Sequence, residues 1–484
     1  MTDETLDLTL VIDIGKSNAK LLLLDAAGAV VERHSRANAS VTSPLGYPAL
    51  DVHGLQAWMQ STLRTSVHTR RCGHVITSTH GAAFVALDEA GLAWEPLDYE
   101  FEAVAGAADA AFHAASGDFR QTLSPDLPAG LNAARQLHWL QSTHPAAWRR
   151  TRILLPYPQY WAWLLSGVPC SEVSSLGCHT HLWSPVKGNF SELAVSKGWA
   201  HLFAPLRSAW EVLGTVQADV ASDWGLPSAC QVHVGVHDSN ACLARYFDSG
   251  CRLDPQAEAL TIVSSGTWTV LMAPGARAGA LVASQDMLGN VDVTGRMTPT
   301  ARFMGGREFA AIAAGADPQA ASIETLRQLV ASQTFALPSF AHQGGPFADR
   351  VGTLEQGGQV LLESQASHLN ASERATLAAT YCAQLTAWLI HYLWAGSAAQ
   401  KSRVVVEGPL AHNTVFMRVL QSILPNSLCL SSMDELEGTA RGAWLLSRWG
   451  SEPVQQALQP VEQVEGLRRY HTAWLHRLNT AVSN

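Results

Sequence analysis

The chain has 484 residues, 47% hydrophobic and 15% charged, with a formal net charge of −9 from 32 basic and 41 acidic residues. That much apolar material over that length fills two or three buried cores. The acidic balance, with no basic run beyond Arg70-Arg71 and Arg149-Arg150, excludes duplex nucleic acid and anionic membrane surfaces as partners.

Leu6 to Ile14 is an apolar run of strand length, Gly15 to Ala19 a polar turn, and Lys20 to Leu24 a second strand. Asp25-Ala-Ala-Gly28 turns the chain into a third strand over Ala29 to His34. Connections this short require antiparallel neighbours, because a parallel crossover needs about a dozen residues or more. A helix follows over Gly54 to Val67, a strand over His74 to Ser78, a helix from Asn132 as N-cap to Gln141, and another over Pro158 to Leu165. Val232 to Gly235 predicts a short strand that delivers His237-Asp238-Ser239-Asn240 to a helix over Ala241 to Phe247. The loop Asp248 to Glu258, with Gly250 and Pro255, is the expected domain junction, dividing the chain into 1–247 and 248–484.

The second half repeats the theme. Ala259 to Ser264 is an apolar strand ending in Ser265-Gly266-Thr267, and the longest helix, 371–396, opens with Asn370 and Glu373 spaced as a capping box. Arg403 to Val406 is a strand leading into Glu407-Gly408-Pro409, Gly438 to Trp449 a closing helix, and the C-terminus a peripheral helix and tail. Mixed sheets flanked by helices in two successive halves give an α/β architecture. Eight cysteines without a CxxC pair fit a reducing cytosol. The acidic N-terminus lacks the pattern of an export signal, and no apolar run reaches the roughly 18 residues of a bilayer span. The expected location is cytoplasmic.

Gly15-Lys16-Ser17 invites a P-loop reading, which fails on two counts. Position 10 is Leu where the first glycine belongs, and Lys20 to Leu24 is a strand instead of a helix. The segment is then either a plain β-hairpin whose buried Asp13 accepts turn hydrogen bonds, or a phosphate-handling turn. In the second case the amides of Gly15 to Ala19 point inward as an anion nest, Ser17 adds a hydroxyl, Lys20 reaches a terminal phosphate, and Asp13 holds Mg²⁺ through water. Ser264-Ser265-Gly266-Thr267-Trp268 ends its strand with hydroxyls and a glycine, which suits close phosphate approach or a purely structural turn. Asp238 lies at a strand's carboxyl end, where open α/β sheets place ligands. It is either the base for an attacking hydroxyl or the N-cap of the helix behind it, and His237 is an orienter or a packed histidine. Cys178-His179-Thr180-His181 would set two histidines on one side of a strand, an incomplete metal site. Phe303, Met304, Trp139, Trp161 and Trp163 have the spacing of core positions.

Taken together, these segments resemble the FGGY carbohydrate kinases, which share the actin-like ATPase fold, over roughly residues 8–450. Val11-Ile-Asp-Ile-Gly-Lys-Ser-Asn-Ala-Lys20 is similar to the family's first phosphate motif, with Lys16-Ser17 where two threonines usually stand. Thr77-Ser-Thr-His-Gly81 with Val85-Ala-Leu-Asp88 resembles the substrate-side strand and turn. Trp94 to Asp98 falls where a sugar-binding Asp often sits, although the usual Asp-x-Arg is absent. Leu137 to Leu140 and Gln159 to Gly167 resemble helical core segments, and Gly235 to Ala241 the catalytic-Asp motif. The His-Asp-Ser form and Ser264 to Trp268 look closest to the rhamnulokinase and fuculokinase branches. Glu407-Gly-Pro-Leu-Ala-His-Asn413 with Phe416 resembles the adenosine motif, with Glu407 in place of a first glycine, and Glu437 to Ala443 the closing helix.

The resemblance implies two actin-like (ribonuclease H-like) domains with mixed sheets flanked by helices and an interdomain cleft that closes to exclude water. The N-terminal domain would bind the sugar and the C-terminal domain the nucleotide. It implies an ATP- and Mg²⁺-dependent kinase of a ketose or deoxyketose, rhamnulose- or fuculose-like. Asp238 would be the base, and Asp13 and Asp238 the carboxylates near the metal. Gly15, Lys16, Ser17, Asn18, Lys20, Gly266, Thr267, Gly305, Gly408, Pro409 and Asn413 would contact the nucleotide; His80, Gly81, Asp98, His237 and Asp238 would contact the sugar. The expected partner is a small-molecule sugar, with neither nucleic acid nor membrane, and a homodimer is the base-rate expectation. Kinases of ribulose, xylulose or glycerol, a non-catalytic actin-like sugar sensor, and a water-using ATPase or phosphatase are the competing readings.

Overall fold

The computed structural model describes residues 6–106, 109–248, 259–341, 344–395, 402–432, 438–451 and 458–480. It divides into two compact units: the first comprises 1–252, 289–297 and 436–455, the second 253–288, 298–435 and 456–484. This differs from a single cut at 247/248, because the Gly438–Leu446 helix returns to pack on the first unit. Glycine makes that return possible: a Cβ at Gly442 would overlap the Ala241 carbonyl. Past residue 248, the junction loop expected at 248–258 lies outside the described residues, as does Glu437.

The first unit is built on β1 (Leu8–Ile14), β2 (Asn18–Leu24) and β3 (Val30–Ala37), joined by tight turns into the expected antiparallel meander. Helix α1 (Val52–Thr65) is capped by Asp51, whose carboxylate accepts from the Gly54 amide. Next comes β4 (Cys72–Thr79), parallel to β1. Helices α2 (Ala133–Thr143) and α3 (Tyr157–Ser166) lead to β5 (Val212–Thr215), β6 (Gln231–His233) and β7 (Val236–His237), and α4 (Asp238–Asp248) follows at once. The sheet order is β5-β6-β4-β1-β2-β3, with β7 also on β4.

Both faces of this sheet are covered, so its central strands read as continuous apolar runs. Leu10, Ile12, Ile14, Leu21 and Leu23 pack with Leu55 and Met59 of α1 and Trp161 of α3. On the opposite face Val11, Leu22, Leu24 and Ile76 meet Ala241 and Ala244 of α4, together with Ala440, Ala443 and Trp444. Residue parity therefore assigns Asp13 and Lys20, directly opposed in register, to the α4 face.

Three local expectations are corrected. The strand over 232–235 is broken: Gly235 takes φ 86°, and a Cβ there would stand 2.6 Å from the Thr77 carbonyl oxygen. Asn132 occupies the N-cap position of α2, but its side chain ties loops together, accepting from Leu127 N (2.8 Å) and donating to His179 O (2.8 Å). His179 and His181 do not share a strand; each lies at positive φ, 48° and 60°, in irregular chain.

In the second unit, β8 (Ala259–Ser265) pairs antiparallel with β9 (Thr269–Met272), which pairs antiparallel with β10 (Met297–Phe303). On its other side β8 runs parallel to β11 (Ser402–Glu407), and β11 parallel to β12 (Ser427–Ser432). One parallel and one antiparallel neighbour flank β8, as β4 and β2 flank β1. Helix α5 (Gly305–Ala313) follows β10, and α6 (Ala371–Leu393) has the expected capping box between Asn370 and Glu373. Helix α7 (Thr414–Ile423) is capped by Asn413. No helix among the described residues is long and apolar enough to cross a membrane.

Candidate functional site

In the first unit, chemistry gathers at the carboxyl ends of β1, β4 and β7. Asp238 opens α4, its Oδ1 accepts from the Ser239 amide (2.5 Å) and the Ser239 hydroxyl (3.2 Å), and His237 Nε2 stands 3.2 Å from the same oxygen. These donors all fall on one oxygen. Oδ2 has none among the described residues, and the side chain is 32% exposed, so one carboxylate oxygen is oriented by its partner and open to a ligand.

His237 is buried, and the Asn240 amide donates to its Nδ1 at 3.1 Å, which puts the ring proton on Nε2. Burial lowers its pKa and the Asp238 charge acts against that. Gly81 makes room for the ring, since a Cβ there would stand 2.8 Å from His237 Nε2 and 2.9 Å from Cys178 Sγ. His80, also buried, pairs through Nδ1 with Gly81 O at 2.9 Å, which leaves Nε2 as an acceptor. Burial holds its pKa down, so the ring is neutral at neutral pH.

Asp98 is buried against the same region. Its carboxylate accepts from Lys16 Nζ, from Ser40 Oγ and from the Glu100 amide (2.9 Å). Burial alone would raise its pKa; the Lys16 and Ser40 bonds and the Glu100 amide outweigh that and lower it. Lys16 Nζ also lies 3.5 Å from Glu100 and 5.0 Å from the Tyr99 ring centre. Lys16, expected among the nucleotide contacts, is thus drawn to the buried carboxylate of Asp98. The Gly15 amide does not belong to the expected anion nest, because it donates to Asn18 O (2.9 Å) within the turn. Ser17 and Asn18 remain exposed at that turn.

Asp13 is the last but one residue of β1, buried, opposite Lys20. Residue parity places Asp13 on the face covered by α4, the helix that Asp238 opens; burial raises the Cys242 thiol pKa, and the charges of Asp238 and Asp13 add to the rise. Two carboxylates suit Mg²⁺, which keeps most of its waters, whereas a closed all-protein site needs more ligands. No cluster of three or more His, Cys, Asp or Glu side chains suited to a metal occurs among the described residues.

The second unit carries a cavity of about 570 Å³. The β8–β9 turn contributes Ser265, Gly266 and Thr267, and α5 contributes Arg307 and Phe309; Leu410 and Asn413 close the far side. Ser265 Oγ donates to Glu407 O (2.6 Å) and accepts from Leu410 N (3.0 Å), which ties the end of β8 to the end of β11. Gly408 takes φ 78°, and a Cβ on it would overlap the Ser265 carbonyl. Asn413 accepts from Phe416 N (3.0 Å), and Pro409 lines the wall beside it. Apolar walls with a few convergent polar groups suit a flat heteroaromatic ring.

Gly305, expected to contact the nucleotide, is buried and is not part of this cavity's lining; a Cβ there would overlap Thr269 Oγ1. Gly306 and Arg307 face it instead, with Gly306 N donating to Thr267 O (3.2 Å). Arg307, Phe309 and Gln319 were not singled out in the sequence; the Gly305-Gly306 pair opening an amphipathic helix was the available signal for the first two. Ser40 and Tyr99 carried none.

Residues 257–456 match the family described as carbohydrate kinase FGGY, C-terminal domain. A solved carbohydrate kinase from Novosphingobium aromaticivorans is 31% identical, covering 99% of each chain with a TM-score of 0.86. A ligand-bound xylulose kinase from Lactobacillus acidophilus shares the fold at 11% identity, again over 99% of each chain, with a TM-score of 0.75. An L-fuculokinase of Salmonella typhi is 27% identical over 274 residues, 55% of this chain; the match spans about half (56%) of that relative's length. The sheets described above are those of the two-domain actin-like fold. On the full-length relative, the matched C-terminal segment and the shared architecture, the chain belongs to the FGGY carbohydrate kinases, a family of phosphotransferases acting on sugar hydroxyls.

Proposed function

We propose that the protein transfers the γ-phosphoryl group of ATP to a hydroxyl of a ketose or deoxyketose in the cytoplasm. The observation that carries this reading is the divided bonding of Asp238: Ser239 holds Oδ1, with His237 Nε2 3.2 Å away, and Oδ2 is left to take the proton of a sugar hydroxyl. Phosphoryl transfer asks for positioning and charge stabilisation more than covalent chemistry, so one oriented base with acceptor and donor pockets is a sufficient set.

His237 positions the base. Asp98, Lys16 and the neutral His80 orient the acceptor, with donors and acceptors matched to hydroxyls. The cavity around Gly266, Thr267, Gly408 and Asn413 takes the nucleotide, with Phe309 and Leu410 against its base. Ser17 and Lys20 are the hairpin groups assigned to the phosphates. Asp13 and Asp238 would hold Mg²⁺, which when bound neutralises charge on the phosphates. The seven cysteines among the described residues are free thiols, in keeping with a reducing compartment.

The name of the Salmonella relative favours a fuculose-like acceptor, and that of the Lactobacillus structure a xylulose-like one. An ADP-release screen across ketoses, deoxyketoses and polyols, with ATP and Mg²⁺, decides between them. Sugar-dependent release that vanishes in Asp238→Ala is the expected result. Equal ADP release with and without sugar would instead support a water-using ATPase.

A further inference from the structure

Phosphates call for cations, and one that the hairpin motif offered, Lys16, is held by Asp98. The second unit supplies another. Among the residues lining its cavity of about 570 Å³, Arg307 alone carries a charged side chain, so the wall has one positive charge and no carboxylate. That local sign is opposite to the chain's net charge of −9.

Arg307 lies in the first turn of α5, directly after Gly306. A Cβ on Gly306 would stand 2.5 Å from the Gly266 carbonyl oxygen and 3.2 Å from Thr267 Cα, so the start of α5 lies against the β8–β9 turn. Arg307 therefore sits at the glycine-and-hydroxyl end of the cavity, whose apolar part is formed by Phe309 and Leu410. Its neighbour Glu308 does not neutralise it. That carboxylate is buried and accepts from Phe340 N (3.1 Å) and from the Tyr381 hydroxyl. Phe303, Met304, Ala310 and Ala311 stand three and four residues away on either side, so the helix offers no acidic partner. Arg307 is exposed and makes no ion pair among the described residues; its Nη1 lies 4.0 Å from Met304 Sδ, a weak acceptor.

An unpaired guanidinium presents a planar fork of donors that fits two oxygens of one phosphate group. A small anion would satisfy the fork and leave the apolar wall bare, and a neutral nucleoside would cover the wall and leave the fork unmet. A nucleoside di- or triphosphate answers both.

We propose that Arg307 binds a phosphate of the nucleotide that is not transferred, beside the Gly266-Thr267 turn. The inference rests on the kinase reading, which makes the ligand of this cavity a nucleotide.

The test is Arg307→Ala, with ADP and adenosine as probes in calorimetric titration. The Kd for ADP is expected to rise about ten- to a hundredfold, the loss of charge-assisted hydrogen bonds, while that for adenosine, which has no phosphate, stays within about twofold. The KM for ATP should rise with it and the sugar KM should hold. Arg307→Lys keeps the charge without the fork and should fall between. The melting temperature of the free variant should match wild type, because no ion pair is lost. Equal losses of ADP and adenosine affinity would make Arg307 a residue that only shapes the pocket, and an unchanged Kd for ADP would leave it outside the site; either overturns the proposal. The two readings fail separately. Wild type that binds ADP, loses that affinity in Arg307→Ala and turns over no ATP with any sugar upholds Arg307 and refutes the kinase. Sugar-dependent turnover with a Kd for ADP unaltered by the substitution does the reverse, and wild type that binds neither ADP nor ATP overturns both.

Discussion

Replacing Asp238 with asparagine exchanges one oxygen for an NH₂ group and changes little else. The two Ser239 donors to Oδ1, at 2.5 and 3.2 Å, are met equally well by an amide oxygen, so the side chain keeps its orientation. The exchanged atom takes the place of Oδ2, where an amide NH₂ can donate to a sugar hydroxyl but cannot remove its proton. A positioned general base is worth about 10²–10⁴ in rate, or about 3–5 kcal/mol of barrier, and kcat should fall by that factor. Binding of ATP should change less than about twofold in Kd, because the residues assigned to the nucleotide pocket belong to other segments. The assay pairs coupled ADP release with calorimetric ATP titration on the same preparation, and a melting curve checks the fold. If Asp238→Asn kept more than a tenth of wild-type kcat, or lost ATP affinity as its main defect, the assignment of Asp238 as base would be refuted.

Asp13→Asn should raise the Mg²⁺ concentration giving half-maximal rate by about tenfold, while saturating Mg²⁺ recovers much of kcat; a rate deficit insensitive to Mg²⁺ would remove Asp13 from the metal's ligands. Lys16→Ala leaves buried Asp98 without its cation, so the sugar KM should rise about tenfold while the KM for ATP stays put, and the opposite pattern would return Lys16 to the phosphates. The depressed pKa of Asp98 contributes stability that is present above the unfolded carboxyl value of about 3.9 and is lost as pH falls through the lower folded value. Denaturation midpoints for wild type should therefore show no loss from this group between pH 8 and about pH 5. In Lys16→Ala the acid decline should begin at higher pH, and coincident curves would show that Lys16 does not set the charge of Asp98.

What the sequence disclosed follows from how far each interaction reaches along the chain. The meander of β1 to β3 was legible because turns of a few residues leave no other pairing, and the capping box at Asn370 and Glu373 because both partners lie within one helical turn. Asp238 was placed correctly as a residue between strand and helix, yet its divided bonding needed the Gly235 break, which turns the chain before His237 and is set by close approach to the distant Thr77 carbonyl. Lys16 shows the limit most clearly. Its neighbours in sequence favour a phosphate role, and its actual partner stands 82 residues away, on a loop whose only local cue was a family position. Gly305 and Gly306 differ in role by one step of helix phase, which a pair of identical residues cannot reveal. Tyr157 lay within an aromatic run, Tyr157-Pro-Gln-Tyr-Trp-Ala-Trp163, that reads as core, and most of it is core. Both its ring and its hydroxyl are buried, as that pattern expects. Periodicity reports which face of an element is buried; it is silent on whether a polar atom on that face has found a partner. In this protein Asp98 shows the difference: it is as buried as its apolar neighbours, and only Lys16 and Ser40, which no local pattern names, set it apart.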